Sequence, residues 1–432
     1  MKRLLLHILI LSVAVLSLYS CRMGREFRTP ELDVPATFDE GGMTEGIASD
    51  IGWSTLYADT VLQSLISKAL EHNKDMLAAA ARIRELMAAK RITFANMMPG
   101  VGFNLYGERE YLNYGGSDKN PELQANFAFN WELDIWGNLR WQNEAAVAQY
   151  LQSVEAQRAL QLTIVSQVAQ MYFDLKALDR ELSIVRQTLD ARRDAVHFAT
   201  LRYEGGLTSE IPYRQSLVEL ARTETLVPKL ENEIKLKEND LSVLLGEFPS
   251  SIPRGGGDLS NITMGCDLPV DLPSTLLERR PDVLQAEQAL REANAKVGVA
   301  LTDMFPKFRL TAKLGAENPE FTDFLKSPTW FISGAITGPL FQLGRKRAAH
   351  KAAQAAYEQE VYAYEKKILE VFKEVNNALI TYRKSKEMRR SANALYRSAL
   401  SYNNLAKLQY VNGVVSYMDV LDAQRQLFDS EI

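Results

Sequence analysis

In the segment YVNGVVSYMDVLDAQRQL (410–427), Asp419 and Asp422 stand three residues apart and so share one face of a helix. Packed carboxylates attract cations, and their mutual repulsion favours keeping one proton. The same pair can instead solvate a helix, cap it or pair locally, and the residues alone favour that plainer reading. Other chemistry is hard to find. His7, His72, His197 and His350 are isolated from one another and from both cysteines, so no spacing suits a zinc site. RGGGDLSN (254–261) lacks the lysine and following helix of a phosphate loop and reads as a linker. GRKRAAHK, from Gly344, is a basic run at the start of a long helix, solvated or near lipid headgroups. No nucleophile has a base beside it. The chain reads as a non-enzyme that needs no cofactor or metal.

The elements that position the carboxylates begin with the N-terminus. MKRLLLHILILSVAVLSLYSC has a positive start, an apolar run from Leu4 to Leu18, and then Cys21. The run is short for a spanning helix and fits a secretory signal. Cysteine after Leu-x-Ser resembles a bacterial lipobox, which makes Cys21 the lipid anchor; a conventional signal peptide and an uncleaved anchor are the alternatives. Arg22 is not the aspartate associated with inner-membrane retention, which fits the outer membrane. Cys266 is then a lone thiol, and two cysteines make no disulfide framework.

The 432 residues are 46% hydrophobic and 24% charged, which excludes disorder. A mean hydropathy of -0.19 excludes a polytopic helical membrane protein. The net charge of -4 becomes -6 without Lys2 and Arg3, and no basic tract remains to favour nucleic acid.

The chain is a duplicated unit. ALEHNKDMLAAAARIRELMAAKRITFANMMP (69–99) aligns without gaps on LLERRPDVLQAEQALREANAKVGVALTDMFP (276–306), at a constant offset of 207. The register persists through Gly137/Gly344, Tyr150/Tyr357, Tyr203/Tyr410 and Gly206/Gly413. Each half reads helix, strand, loop, strand, very long helix, turn, helix. Leu62, Ile66, Ala69, Met76, Ala80, Ile83, Met87 and Phe94 form a heptad-spaced stripe, with Asn73 suited to an N-cap. No proline interrupts about 140–203 or 347–410, so each stretch extends roughly 100 Å as a helix. The rhythm of Leu178, Leu182, Val185, Leu189, Val196, Ala199 and Tyr203 is broken by Arg192. These are coiled-coil members that turn at Gly206 and Gly413.

LQANFAFNWELDIWG (123–137) alternates strictly, with Phe127, Phe129, Trp131 and Leu133 on one face. In VGFNLYG, Phe103 and Leu105 share a face; in the second half the odd offset moves the apolar positions to Leu310, Ile332 and Ile336. Strands of this length suit a membrane barrel wall, although a half-buried strand of a soluble sheet shows the same alternation. Four strands cannot close in lipid, so several copies must pool theirs; twelve is the smallest count here that leaves a lumen.

LPSTLLERRPDVLQAEQALREANAKVGVALTDMFP, WELDIWGNLRWQNEAAVA and YVNGVVSYMDVLDAQRQL closely resemble outer-membrane factors of the TolC family, nearest its lipid-anchored efflux branch. The resemblance covers nearly all of 53–432. It implies a mainly α fold with a membrane β-barrel portion: a homotrimer with a twelve-stranded outer-membrane barrel and a long periplasmic α-helical tunnel. It also implies a periplasmic adaptor and an inner-membrane resistance–nodulation–division pump as partners. The expected role is a passive exit duct for small toxic compounds, drugs or metal ions. A type I protein-secretion channel and a lipid-tethered periplasmic adaptor without a pore are the alternatives.

On this resemblance Asp419 and Asp422 fall at two aspartate constriction positions, which in a trimer would form two rings. Tyr410 matches a tyrosine that helps hold the periplasmic end closed. Val414 and Val415 stand where some members have a basic residue, and Pro212 where aspartate is common, so an apolar constriction at Val414 or Val415 is expected instead. The implied organisation is a signal peptide (1–20), a lipidated extended segment (21–52), a first repeat (53–248), a linker (249–272) and a second repeat (273–432). Strands are expected at about 101–109, 123–136, 307–316 and 330–343. The return helix of the second half, which ends at Ile432, is expected to be truncated relative to its counterpart from about Arg214 to Leu245.

Overall fold

The computed structural model describes residues 22–30, 32–35, 52–113, 117–256, 277–318, 323 and 326–432. In chain order the elements are α1 (Trp53–Leu56), α2 (Thr60–His72), α3 (Lys74–Ala95), β1 (Gly100–Asn113), β2 (Ser117–Leu133) and α4 (Asn138–Glu204). They continue with α5 (Glu210–Leu244), α6 (Pro281–Thr302), β3 (Lys307–Asn318), β4 (Pro328–Thr337), α7 (Arg345–Val411) and α8 (Tyr417–Glu431). The signal segment, Cys21, Cys266 and most of the linker lie outside the described residues.

The duplication is written into the backbone. α3 and α6, β1 and β3, α4 and α7, and α5 and α8 each begin 207 residues apart, and α4 and α7 are both 67 residues long. The turn glycines repeat too: Gly206 and Gly413 have φ of 68° and 72°, Gly137 and Gly344 have 83° and 80°. Only glycine adopts these left-handed angles without strain, which is why both halves keep it.

The chain forms two compact units. One contains 79–158 and 277–369, including a four-stranded antiparallel sheet in the order β1-β2-β3-β4. Its helical part closes on Trp141, which is 1% exposed and fills the space left by Gly298; a Cβ on Gly298 would sit 2.3 Å from the indole. Trp141 Nε1 donates to the Met23 carbonyl at 2.7 Å, and the Arg22 guanidinium lies over the ring. The chain just after Cys21 is therefore strapped to the start of α4.

The other unit contains 34–78, 159–276 and 370–432. Its core joins Leu62, Ile66 and Ala69 of α2 to Val168, Tyr172 and Val185 of α4 and to Leu230, Ile234 and Leu241 of α5. Asp59 caps α2 through Val61 and Leu62 and accepts from the Tyr172 hydroxyl at 2.7 Å, and that burial and bond push the phenol up to about 12. Asn73 is the N-cap that the sequence suggests: its Oδ1 accepts from the Asp75 and Met76 amides at 2.9 and 3.1 Å and starts α3 as a helix separate from α2. The heptad stripe accordingly divides: its α2 part is buried, whereas in α3 Met87 and Phe94 remain about half exposed in the single chain.

Four strand limits differ from expectation by three residues or more, the first being β1, which runs to Asn113 rather than to about 109. β2 begins at Ser117, because the hairpin with β1 runs without a break to Asn113↔Ser117. It ends at Leu133, because Asp134 caps α4 by accepting from the Leu139 and Arg140 amides, both at 2.9 Å. β4 ends at Thr337, where Gly338 packs on Pro306 and Pro339 supplies no amide donor.

Candidate functional site

Two groups of residues qualify as a site, and each lies within one unit. The first is the sheet. Cross-strand partners place Val101, Phe103 and Leu105 of β1 opposite Phe129, Phe127 and Ala125 of β2. Phe127, Phe129, Trp131 and Leu133 face Leu314, Ala312, Leu310 and Phe308 of β3, which in turn face Trp330, Ile332, Gly334 and Ile336 of β4. Since opposed residues lie on the same side of a sheet, this is one continuous apolar face. Phe103, Leu105, Phe127, Leu314, Ile332 and Ile336 are each at least 60% exposed. Phe129, Trp131, Leu133 and Leu310 are half-buried, and Trp131 Nε1 donates to the Met97 carbonyl at 3.1 Å.

The opposite face carries Asn104, Tyr106, Gln124, Asn126, Asn130, Glu132, Lys307, Arg309, Thr311 and Lys313. Glu132 pairs with Lys307 at 3.1 Å and Arg309 at 3.7 Å. One side of the sheet is thus oily and uncovered, the other charged. Among the described residues no further strand pairs with the outer edges of β1 and β4. Among the described residues no helix is long and apolar enough to cross a membrane, and no group of His, Cys, Asp or Glu is placed to hold a metal.

The second group surrounds the α7–α8 turn. Val414 N donates to Gln409 O at 2.9 Å and Gly413 N to Tyr410 O at 3.0 Å. The α4–α5 turn repeats this with Leu207 to Arg202 and Gly206 to Tyr203. Tyr410 packs on Ala406, Val420 and Ala423, its ring 5.6 Å from Tyr417 and 5.4 Å from the Arg202 guanidinium. Val414 is exposed and Val415 half-buried.

Asp419 and Asp422 are both exposed but differently employed. Asp419 Oδ2 accepts from the Ser416 amide at 2.8 Å and its hydroxyl at 2.7 Å. Asp422 Oδ2 accepts from Gln426 Nε2 at 2.8 Å and the Tyr402 hydroxyl at 3.4 Å. In the single chain the Ser416 hydrogen bonds hold the Asp419 carboxyl below the ordinary aspartate value. Pro212 falls in the first turn of α5, where its missing amide is no loss.

One cluster went unread in the sequence. Glu219 of α5, 3% exposed, meets Arg192 of α4 at 3.8 Å, Arg222 at 3.6 Å and Arg425 of α8 at 2.6 Å. Arg192 also donates to Gln424 Oε1 at 2.6 Å, and burial pushes its guanidinium below the ordinary value against the pull of Glu219. The break in the heptad rhythm at Arg192 was the available signal.

The outer membrane efflux protein profile matches residues 65–247 and 272–432. The cation efflux system protein CusC of Escherichia coli O6:H1 is 31% identical over 96% of this chain and 91% of its own length. The probable outer membrane lipoprotein SilC of Salmonella typhimurium is 30% identical over 94% and 89%. The open-state MtrE outer membrane channel of Neisseria gonorrhoeae superposes with a TM-score of 0.88 at 27% identity, covering 95% of this chain and 93% of that one. Likeness of this extent, over both repeats and with the same strands and long helices, has one conclusion: the chain belongs to the outer membrane efflux protein family and is a non-enzymatic outer-membrane channel of an efflux system.

Proposed function

We propose that this channel is the exit duct of a tripartite efflux system, working as a homotrimer whose four-stranded sheets close a twelve-stranded barrel. The observation that carries the reading is the sheet with one uncovered apolar face, one charged face and two open edges. An open edge in hydrocarbon leaves amides and carbonyls unpaired at several kcal/mol each, so the edges must meet other copies. Phe103, Leu105, Phe127, Phe129, Trp131, Leu133, Leu310, Ile332 and Ile336 then face lipid, and Glu132, Lys307, Arg309 and Lys313 face the lumen.

Cys21 carries the lipid anchor, in keeping with the lipoprotein name of SilC. Below the membrane, the helices form a periplasmic tunnel that turns at Gly206 and Gly413. Its gate is built from Tyr410, Val414, Val415, Asp419 and Asp422, three copies of each carboxylate favouring cations. A periplasmic adaptor and an inner-membrane resistance–nodulation–division pump deliver the cargo: drugs, small toxic compounds or metal ions, the last in line with the cation efflux relative. The duct binds cargo weakly and does no chemical work.

The test is detergent extraction followed by planar-bilayer recording. A detergent-dependent trimer that conducts ions is expected. A Cys21→Ala protein that leaves the membrane without detergent as a soluble monomer would overturn the reading.

A further inference from the structure

We propose that the charged face of the sheet is a two-zone charge filter. A cationic collar of Lys307, Arg309 and Lys313 stands where the strands join the helices, and an acidic zone at Glu108 and Glu317 follows toward the hairpin turns. The inference deepens the duct proposed above and rests on it, since there this face lines the lumen.

The order is written along one strand. β3 leaves α6 at Lys307, and on its polar side the charges run Lys307, Arg309, Lys313 and then Glu317. From β2 the collar gains Glu132, the register partner of Arg309. That carboxylate is shared by Lys307 and Arg309, so three cations against one acid leave the collar at +2 per chain. Lys313 lies between Ala128 and Phe331, neither of which offsets its charge.

The far end has the opposite sign. Glu317 faces Gln124, whose Nε2 donates to it at 3.0 Å, a neutral partner that leaves the charge whole. Next to Gln124 in register is Tyr106, and two residues further along β1 comes Glu108, whose own partner is Glu122. Lys307, Arg309, Lys313, Glu108 and Glu317 are all exposed in the single chain.

Distance keeps the zones apart. Lys313 and Glu317, four residues apart on one strand, are separated by about 13 Å. The Debye length is about 10 Å at 0.1 M salt and about 3 Å at 1 M. At the lower salt each field therefore reaches into the lumen before the other cancels it; at the higher it stays at the wall. A ring of Lys and Arg admits anions and a ring of carboxylates admits cations, so an ion of either sign meets one zone that repels it. The filter thus favours neutral and zwitterionic cargo over bare ions.

Two zones of opposite sign in series also rectify. With the helix side negative, anions enter through the collar and cations through the acidic zone, and the lumen fills with both. With the polarity reversed each ion enters against repulsion, and the lumen empties.

Single-channel recording tests the filter. Protein is added to one side of a planar bilayer, so that the long helices stay on that side. In potassium chloride at about 0.1 M the current with the helix side negative should be about twice that at the opposite polarity, and the ratio should fall toward one at about 1 M. Lys313→Glu combined with Glu317→Lys keeps composition and total charge but erases the order, and should bring the ratio close to one at low salt. Lys313→Arg combined with Glu317→Asp should preserve it. Lys313→Gln alone should lower it, and decides the matter if the exchanged protein does not assemble. A wild-type channel that conducts equally at both polarities, or an exchanged or Lys313→Gln channel that rectifies as wild type does, overturns the two zones and leaves the duct intact. A wild-type protein that forms no channel overturns the duct and the filter together.

Discussion

Arg425 of α8 donates to the buried carboxylate of Glu219 on α5 through both Nε, at 3.0 Å, and Nη2, at 2.6 Å. This bond ties the turn helix of the second repeat to the corresponding helix of the first. Arg192 and Arg222 complete a cluster of three cations around one carboxylate. Removing Glu219 leaves Arg192, 4% exposed, without its counter-ion. Glu219→Ala should therefore destabilise the assembly by about 3–5 kcal/mol. Arg425→Ala leaves Arg192 and Arg222 in place and should cost less, about 1.5–3 kcal/mol. Thermal melts followed by circular dichroism check the order; a Glu219→Ala melt that matches wild type would show that the cluster holds nothing.

A second prediction concerns acid. The Ser416 hydroxyl and amide lower the Asp419 carboxyl below its ordinary value of 3.8. A depressed folded value means that the cap is fully present above 3.8 and is lost as pH falls through the lowered value. Conductance set by the α8 start should be flat from neutral pH to about pH 5 and change only in stronger acid. Ser416→Ala should bring that acid transition up toward the ordinary aspartate value, and Asp419→Asn should abolish it. Bilayer recordings across pH decide, and a transition unmoved in Ser416→Ala would separate it from the cap.

How far these features could be read beforehand depends on the range of the interaction. The repeat, the long helices and the strand faces follow from local spacing, and four pairs of elements do begin at the constant offset. The end of β2 was misplaced because Asp134, alternating like a strand residue, is taken by the amides of Leu139 and Arg140. Glu219 looked like one more charge on a solvated helix. It is buried instead and bonded to Arg425, 206 positions away, and no local pattern records that meeting. Asp419 was visible as a carboxylate, but its bond to Ser416 needed the turn geometry.

Gly315 offers a third test. A Cβ there would lie 2.0 Å from the Ala125 carbonyl oxygen and 2.6 Å from the Asn126 Cα, both backbone atoms of β2 that cannot step aside. Gly315→Ala should push β3 from β2 and cost about 1–3 kcal/mol or more, seen as a lower yield of trimer refolded from urea. Gly334→Ala has nothing within 4 Å in the chain and should leave β3–β4 pairing untouched. Equal yields for the two variants would contradict the close approach.

Val415 carries the last prediction. Two valines follow Gly413, Val414 exposed and Val415 half-buried, where an ionic latch would need a charge. If three copies converge, they narrow the pore with apolar surface, which impedes ions by shedding water rather than by repelling charge. Val415→Asp should wet the constriction and raise single-channel conductance several-fold. Val415→Ile keeps the chemistry and should not. Asp422→Asn provides the contrast, because a carboxylate ring acts on selectivity: it should shift the reversal potential in a salt gradient toward anions with little change in conductance. Unchanged conductance in Val415→Asp would locate the narrowest point at the aspartates instead, and the acid response of Asp419 would then have to account for closure alone.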